Sequence, residues 1–107
     1  MTTFDRRQEA FEKKFALDEE LRFKANARRN RLLGLWTAEK LGKTGPDADA
    51  YAKEVVMADF AEAGDNDVVA KVLGDLHAAG VEQTEHQVRR RMDELMAEAV
   101  QQIEAER

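Results

Sequence analysis

Few side chains in this 107-residue sequence are suited to covalent chemistry. There is no cysteine and no serine, which removes both thiolate nucleophiles and a Ser-His-Asp arrangement. His77 and His86 are the two imidazoles. Two histidines without cysteines make a poor metal set, so both are expected to be structural or surface residues, with no metal bound. An enzyme acting on a phosphorylated metabolite would need more than this, and the chain reads as a non-enzyme that requires no cofactor.

Two short stretches resemble ligand loops and fail on spacing. Gly42-Lys43-Thr44 looks like the end of a phosphate-binding loop, but the glycine needed five residues earlier is Thr37. Asp65-Asn66-Asp67 could open a calcium loop, but the acceptor, glycine and glutamate positions hold Val69, Ala70 and Leu76. Asp65 is better read as a helix cap.

Arginines give the stronger signal. Arg28, Arg29 and Arg31 form one cluster, and Arg89, Arg90 and Arg91 form another. The guanidinium fork matches phosphate oxygens, so neighbouring helices could bring both clusters to one anion, with Trp36 covering a base. Salt bridges to the many carboxylates use the same arginines equally well. Nucleic acid is not expected as a partner, because the net charge is −5.

That charge is unevenly spread. Residues 1–31 hold nine Lys/Arg against six Asp/Glu, whereas residues 32–107 hold eight against sixteen. The basic end carries Phe4, Phe11 and Phe15, interleaved with Arg6, Arg7, Lys13 and Lys14. In a helix, spacings of seven and four place the three rings on one side. Two arrangements satisfy this pattern. Either the segment enters a partner's groove, or it extends the first helix and packs on the chain's own core.

These residues must be positioned by helices. One proline and six glycines in the chain leave room for long elements. The first helix is expected over 18–41, capped by Asp18, with Leu21, Ala25, Leu32, Leu35 and Trp36 on its apolar face and Leu33 beside them. The second is expected over 46–63, with Tyr51, Ala52, Val55, Val56 and Phe60 as its stripe. The third, over 66–79, repeats Val69, Val72, Leu73 and Leu76. The fourth opens on Thr84-x-x-Gln87, a capping box, and runs through Val88, Met92, Leu95, Met96, Ala99 and Ile103. Gly42, Gly64 and Gly80 punctuate the series. The expected fold is all-α, a four-helix bundle over 18–107 with a flexible N-terminal arm over 1–17. No apolar run approaches the roughly 20 residues that span a bilayer, and no signal-peptide core is present, so a cytoplasmic protein without membrane insertion is expected.

The sequence resembles the zeta subunit of alphaproteobacterial F-type ATP synthases. The likeness is carried by Ala10-Phe11-Glu12-Lys13-Lys14-Phe15-Ala16, Asp18-Glu19-Glu20-Leu21-Arg22-Phe23-Lys24-Ala25 and Ala27-Arg28-Arg29-Asn30. Leu32-Leu33-Gly34, Trp36, Ala38-Glu39-Lys40-Leu41-Gly42, Ala50-Tyr51-Ala52-Lys53-Glu54-Val55-Val56, Ala58-Asp59-Phe60 and Met92-Asp93-Glu94-Leu95 continue it over essentially the whole chain. Thr37 and Met57 depart from the pattern.

The resemblance implies a four-helix bundle whose mobile N-terminal segment inhibits ATP hydrolysis by the catalytic head of the synthase. It also implies ADP or ATP as a regulatory ligand of the bundle. The implied partners are the alpha, beta and gamma subunits of the head, at the inner membrane's periphery. Phe4, Arg6, Arg7, Phe11, Lys13, Lys14 and Phe15 become the expected partner contacts. Arg28, Arg29, Arg31, Trp36, Arg89 and Arg90 are the candidate nucleotide contacts, chosen from the arginine pattern. The mitochondrial inhibitor pairs through a long coiled coil, and no such heptad run is present, so the free protein is expected to be a monomer. The alternative is a nucleotide-sensing helical module whose partner is not the synthase.

Overall fold

The computed structural model describes residues 19–60 and 64–106. Asp18 and the N-terminal segment therefore lie outside the described residues. Four helices follow in order: α1 (Glu19–Lys40), α2 (Gly45–Ala58), α3 (Asn66–Ala78) and α4 (Glu85–Ala105). No strand occurs among the described residues, and the all-α four-helix fold expected from the sequence is the one formed.

Helix α1 begins with Glu19 and Glu20 in its first turn, where negative charge meets the exposed amides, and has Lys40 in its last. It stops at Gly42, whose φ of +75° suits a residue without Cβ. There Gly42 N–H donates to Glu39 O at 3.1 Å and Lys43 N–H to Ala38 O at 2.9 Å, which satisfies the terminal carbonyls. Pro46 sits in the first turn of α2, where it forfeits no helical hydrogen bond. Helix α4 opens on the complete capping box: Gln87 N–H donates to Thr84 Oγ1 at 3.1 Å, and Thr84 N–H donates to Gln87 Oε1 at 3.0 Å.

Helix α1 is the hub and touches the other three. It runs antiparallel to α4, since Leu21 and Ala25 near its start pack with Ile103 near the end of α4. Against α2 the approach is very close at Gly34, where a Cβ would lie 2.6 Å from the Ala52 Cα. The main core joins Leu33, Ala38, Tyr51, Val55, Val68, Val72, Leu76, Val88 and Leu95. Across it the Tyr51 hydroxyl donates to Asp75 at 2.7 Å, tying α2 to α3.

Three local expectations are corrected. The buried stripe of α1 is Leu21, Ala25, Arg29, Leu33 and Thr37, with Asn30, Gly34 and Ala38 beside it. Leu32, Leu35 and Trp36 are half-buried at its flank. The face is rotated because polar Arg29, Asn30 and Thr37 are buried with internal hydrogen bonds. Thr37, for example, donates to Leu33 O at 2.8 Å. Helix α2 ends at Ala58 rather than running through 63, so Phe60 falls beyond the stripe and is exposed. Asp65 occupies the cap position of α3, but its carboxylate makes no capping bond. It accepts from Arg29 instead.

Candidate functional site

The two arginine clusters lie on neighbouring helices but do not converge. Because α1 and α4 are antiparallel, Arg28 meets Gln102 and Glu106 at the far end of α4. Arg90 is twelve residues from Gln102, about 18 Å along the helix at 1.5 Å per residue.

Most of these guanidinium groups are already engaged. Arg28 donates to both Glu106 carboxylate oxygens, one of them at 3.0 Å. That hydrogen bond raises the Arg28 pKa and holds the Glu106 carboxyl below its usual range. Arg29 is 5% exposed. Its Nη atoms donate to the two oxygens of Asp65 at 2.7 and 3.3 Å, and its Nε donates to Asn30 Oδ1 at 3.0 Å. It works as a strut between α1 and the start of α3. Arg89 donates to Asn66 Oδ1 at 2.9 Å and lies 3.4 Å from Glu85. Arg91 pairs with Glu94 at 3.8 Å. Trp36 is half-buried against the core, with Lys40 Nζ 4.9 Å from its ring centroid. Arg31 and Arg90 are exposed and carry no ion pair among the described residues.

Arg31 lies on a groove in two adjoining parts. One part, of about 420 Å³, runs between α1 and α2 past Asp49, Ala52, Lys53, Val56 and Met57. The adjoining part, of about 500 Å³, shares Arg31 and Val56 and continues past Phe23, Lys24, Ala27, Ile103 and Glu106. A separate concavity of about 640 Å³ follows the α3–α4 loop beside His77, Val81, Gln83 and Thr84. There the His77 ring nitrogen bonds the Gln83 carbonyl at 2.9 Å, and His86 stands apart in the first turn of α4.

Phe23 and Met57, which belong to no expected apolar stripe, and Phe60, expected in that of α2, are 59%, 64% and 58% exposed on one side of the bundle. Phe23 was detectable: two residues from both Leu21 and Ala25, it must point away from their face of a helix.

The described residues form a helical bundle with its candidate recognition groups on grooves and exposed faces, an arrangement suited to binding a partner. Its family is explicit: the chain belongs to the ATPase inhibitor subunit zeta family, whose model matches residues 1–102. It is thus a regulatory, non-catalytic protein of ATPase inhibition. A structure solved by NMR in solution is 54% identical, covers 81% of this chain and 99% of its own, and superposes with a TM-score of 0.72. The comparison with curated proteins finds no match. No helix among the described residues is long and apolar enough to cross a membrane.

Proposed function

We propose that the chain inhibits ATP hydrolysis by an F-type ATP synthase by inserting its N-terminal segment, residues 1–17, into the catalytic head. The bundle carries that segment to the head. The observation that carries this reading is the extent of the family match, which runs over residues 1–102 and so takes in the segment as well as the bundle. Phe4, Phe11 and Phe15 would bury in a cleft among the alpha, beta and gamma subunits, while Arg6, Arg7, Lys13 and Lys14 meet carboxylates. Ordering the segment costs on the order of 1–2 kcal/mol per residue of backbone entropy, offset by that burial and pairing. The protein would work as a monomer on the cytoplasmic side, held at the membrane periphery by the synthase.

ADP or ATP is the proposed regulatory ligand of the bundle. Of the residues put forward for it, Arg31 and Arg90 have their donors least committed, while Arg28, Arg29 and Arg89 would have to break existing pairs. The Arg31 groove is the better location. Titration of the protein with ADP, followed by amide resonances, tests this. Shifts at Arg31, Lys53 and Met57 are expected, and unshifted resonances there would remove the nucleotide from the account. The inhibitory role is tested by ATP hydrolysis of the isolated head with the full chain and with residues 18–107 alone.

A further inference from the structure

Among the described residues, the large apolar side chains left in solvent lie on one face. The Phe23 and Phe60 rings lie 6.1 Å apart, centroid to centroid, and Met57 precedes Phe60 by three residues. Under the pair is a cavity of about 60 Å³, with Asn26, Asn30 and Asp59 in its walls. Asn30 is fully buried and its Oδ1 is taken by Arg29, yet its Nδ2 has no hydrogen-bond partner among the described residues. Single exposed apolar residues are ordinary. A contiguous group of them over an unpaired buried donor is a surface suited to being covered.

We propose that this face holds the chain's own residues 1–17 in a docked state that competes with their insertion into the synthase head. The proposal rests on those residues being the inhibitory element. Chain continuity favours them as occupant. The described chain begins at Glu19, and Phe23 lies four residues on, about 6 Å along the helix. Seventeen residues bearing Phe4, Phe11 and Phe15 are therefore tethered beside the patch. A short tether supplies an effective concentration on the order of millimolar, which a separate partner would have to match. In a helix Phe11 and Phe15 are one turn apart and could cover the Phe23–Phe60 pair together.

Charge at the Phe60 end of the patch agrees with this choice. The patch lies at the C-terminal end of α2, which has Asp59 at its cap and no basic residue in its last turn. The negative end of that helix favours cations, and Arg6, Arg7, Lys13 and Lys14 would supply them. The same phenylalanines cannot lie on the bundle and in the head at once, so docking sets how much inhibitor is competent. A segment docked nine-tenths of the time binds about tenfold more weakly than a free one.

The test uses the full chain, which has no native cysteine to interfere. A nitroxide on Thr3→Cys should broaden the amide resonances of Phe23, Met57 and Phe60 in dilute protein. It should spare the α3–α4 loop at Gly80 and Val81, which lies toward the opposite end of α1. The double variant Met57→Ser/Phe60→Ser alters two exposed side chains, so its circular dichroism should be unchanged. It should lose the broadening and inhibit about tenfold more tightly. Resonances of the patch unaffected by the label would overturn the proposal. So would broadening seen only between labelled and unlabelled molecules, which would assign the face to a second copy. Docking is read from the free protein without the synthase. If residues 18–107 alone inhibited the head, the functional reading would fail even where the broadening was present, so the two failures are distinguishable.

Discussion

A guanidinium that is 5% exposed needs its donors answered, and at Arg29 they are, by Asp65 and Asn30. The pair fixes the start of α3 against α1. Removing the carboxylate leaves the arginine charge buried and unpaired, which costs more than the pair itself contributes. Asp65→Ala is expected to destabilise the fold by about 2–3 kcal/mol in urea unfolding. An unchanged midpoint would show that Arg29 finds water or another acceptor. At Tyr51, the sole tyrosine, burial pushes the phenol pKa well above its ordinary value, with the hydrogen bond to Asp75 adding to the shift. The sign follows: the neutral phenol is favoured by folding, so its contribution is full below about pH 10 and is lost as pH rises beyond that. The phenolate absorbance of the folded protein should therefore stay absent at pH 11 and appear together with unfolding. A free titration near the ordinary value would contradict the buried contact. For the Arg28–Glu106 pair the carboxyl is depressed, so the interaction is present above the ordinary carboxylate range and is lost as pH falls through the lowered value. In Arg28→Ala the Glu106 carboxyl resonance should titrate closer to its ordinary value.

Among the elements, α4 and the α1–α2 crossing carry the most specific consequences. Thr84→Ala removes the acceptor of the capping box and should cost about 1 kcal/mol. Gly34→Ala sets a methyl against the backbone of Ala52, 2.6 Å away from its Cα, and the helices must separate to admit it. A loss of about 1–3 kcal/mol is expected by urea unfolding, and a neutral result would mean that the crossing is looser than described. The same elements show what the sequence makes legible. Helix α4 is readable throughout because its stripe, cap and spacing agree: Val88, Met92, Leu95, Ala99 and Ile103 are all buried. Helix α1 is readable as a helix but not in its rotation. Its core face includes Arg29, Asn30 and Thr37, whose burial depends on partners found only in three dimensions. The acceptor of Arg29 is 36 residues away, so spacing alone does not separate it from an anion-binding arginine. The spacing of Phe60 continues the α2 stripe, but the helix ends two residues earlier at Ala58. Phe23 and Met57 are not legible as a patch, because periodicity locates what a helix buries and says little about apolar residues outside the stripe.

At the scale of the molecule, the described helices pack into one bundle. The main core is built from all four helices, and a satellite cluster closes the end where α1 starts and α4 finishes. The expected contacts Phe4, Arg6, Arg7, Phe11, Lys13, Lys14 and Phe15 lie outside the described residues, and the proposed function assigns inhibition to them. The proposed function predicts that removing residues 1–17 abolishes inhibition and leaves the helices in place. The most direct measurement is ATP hydrolysis by the isolated catalytic head, titrated with the full chain and with residues 18–107, the latter checked by circular dichroism to retain the helical bundle. The account predicts inhibition by the full chain and none by the shortened one. Equal inhibition by both, or by neither, would contradict it.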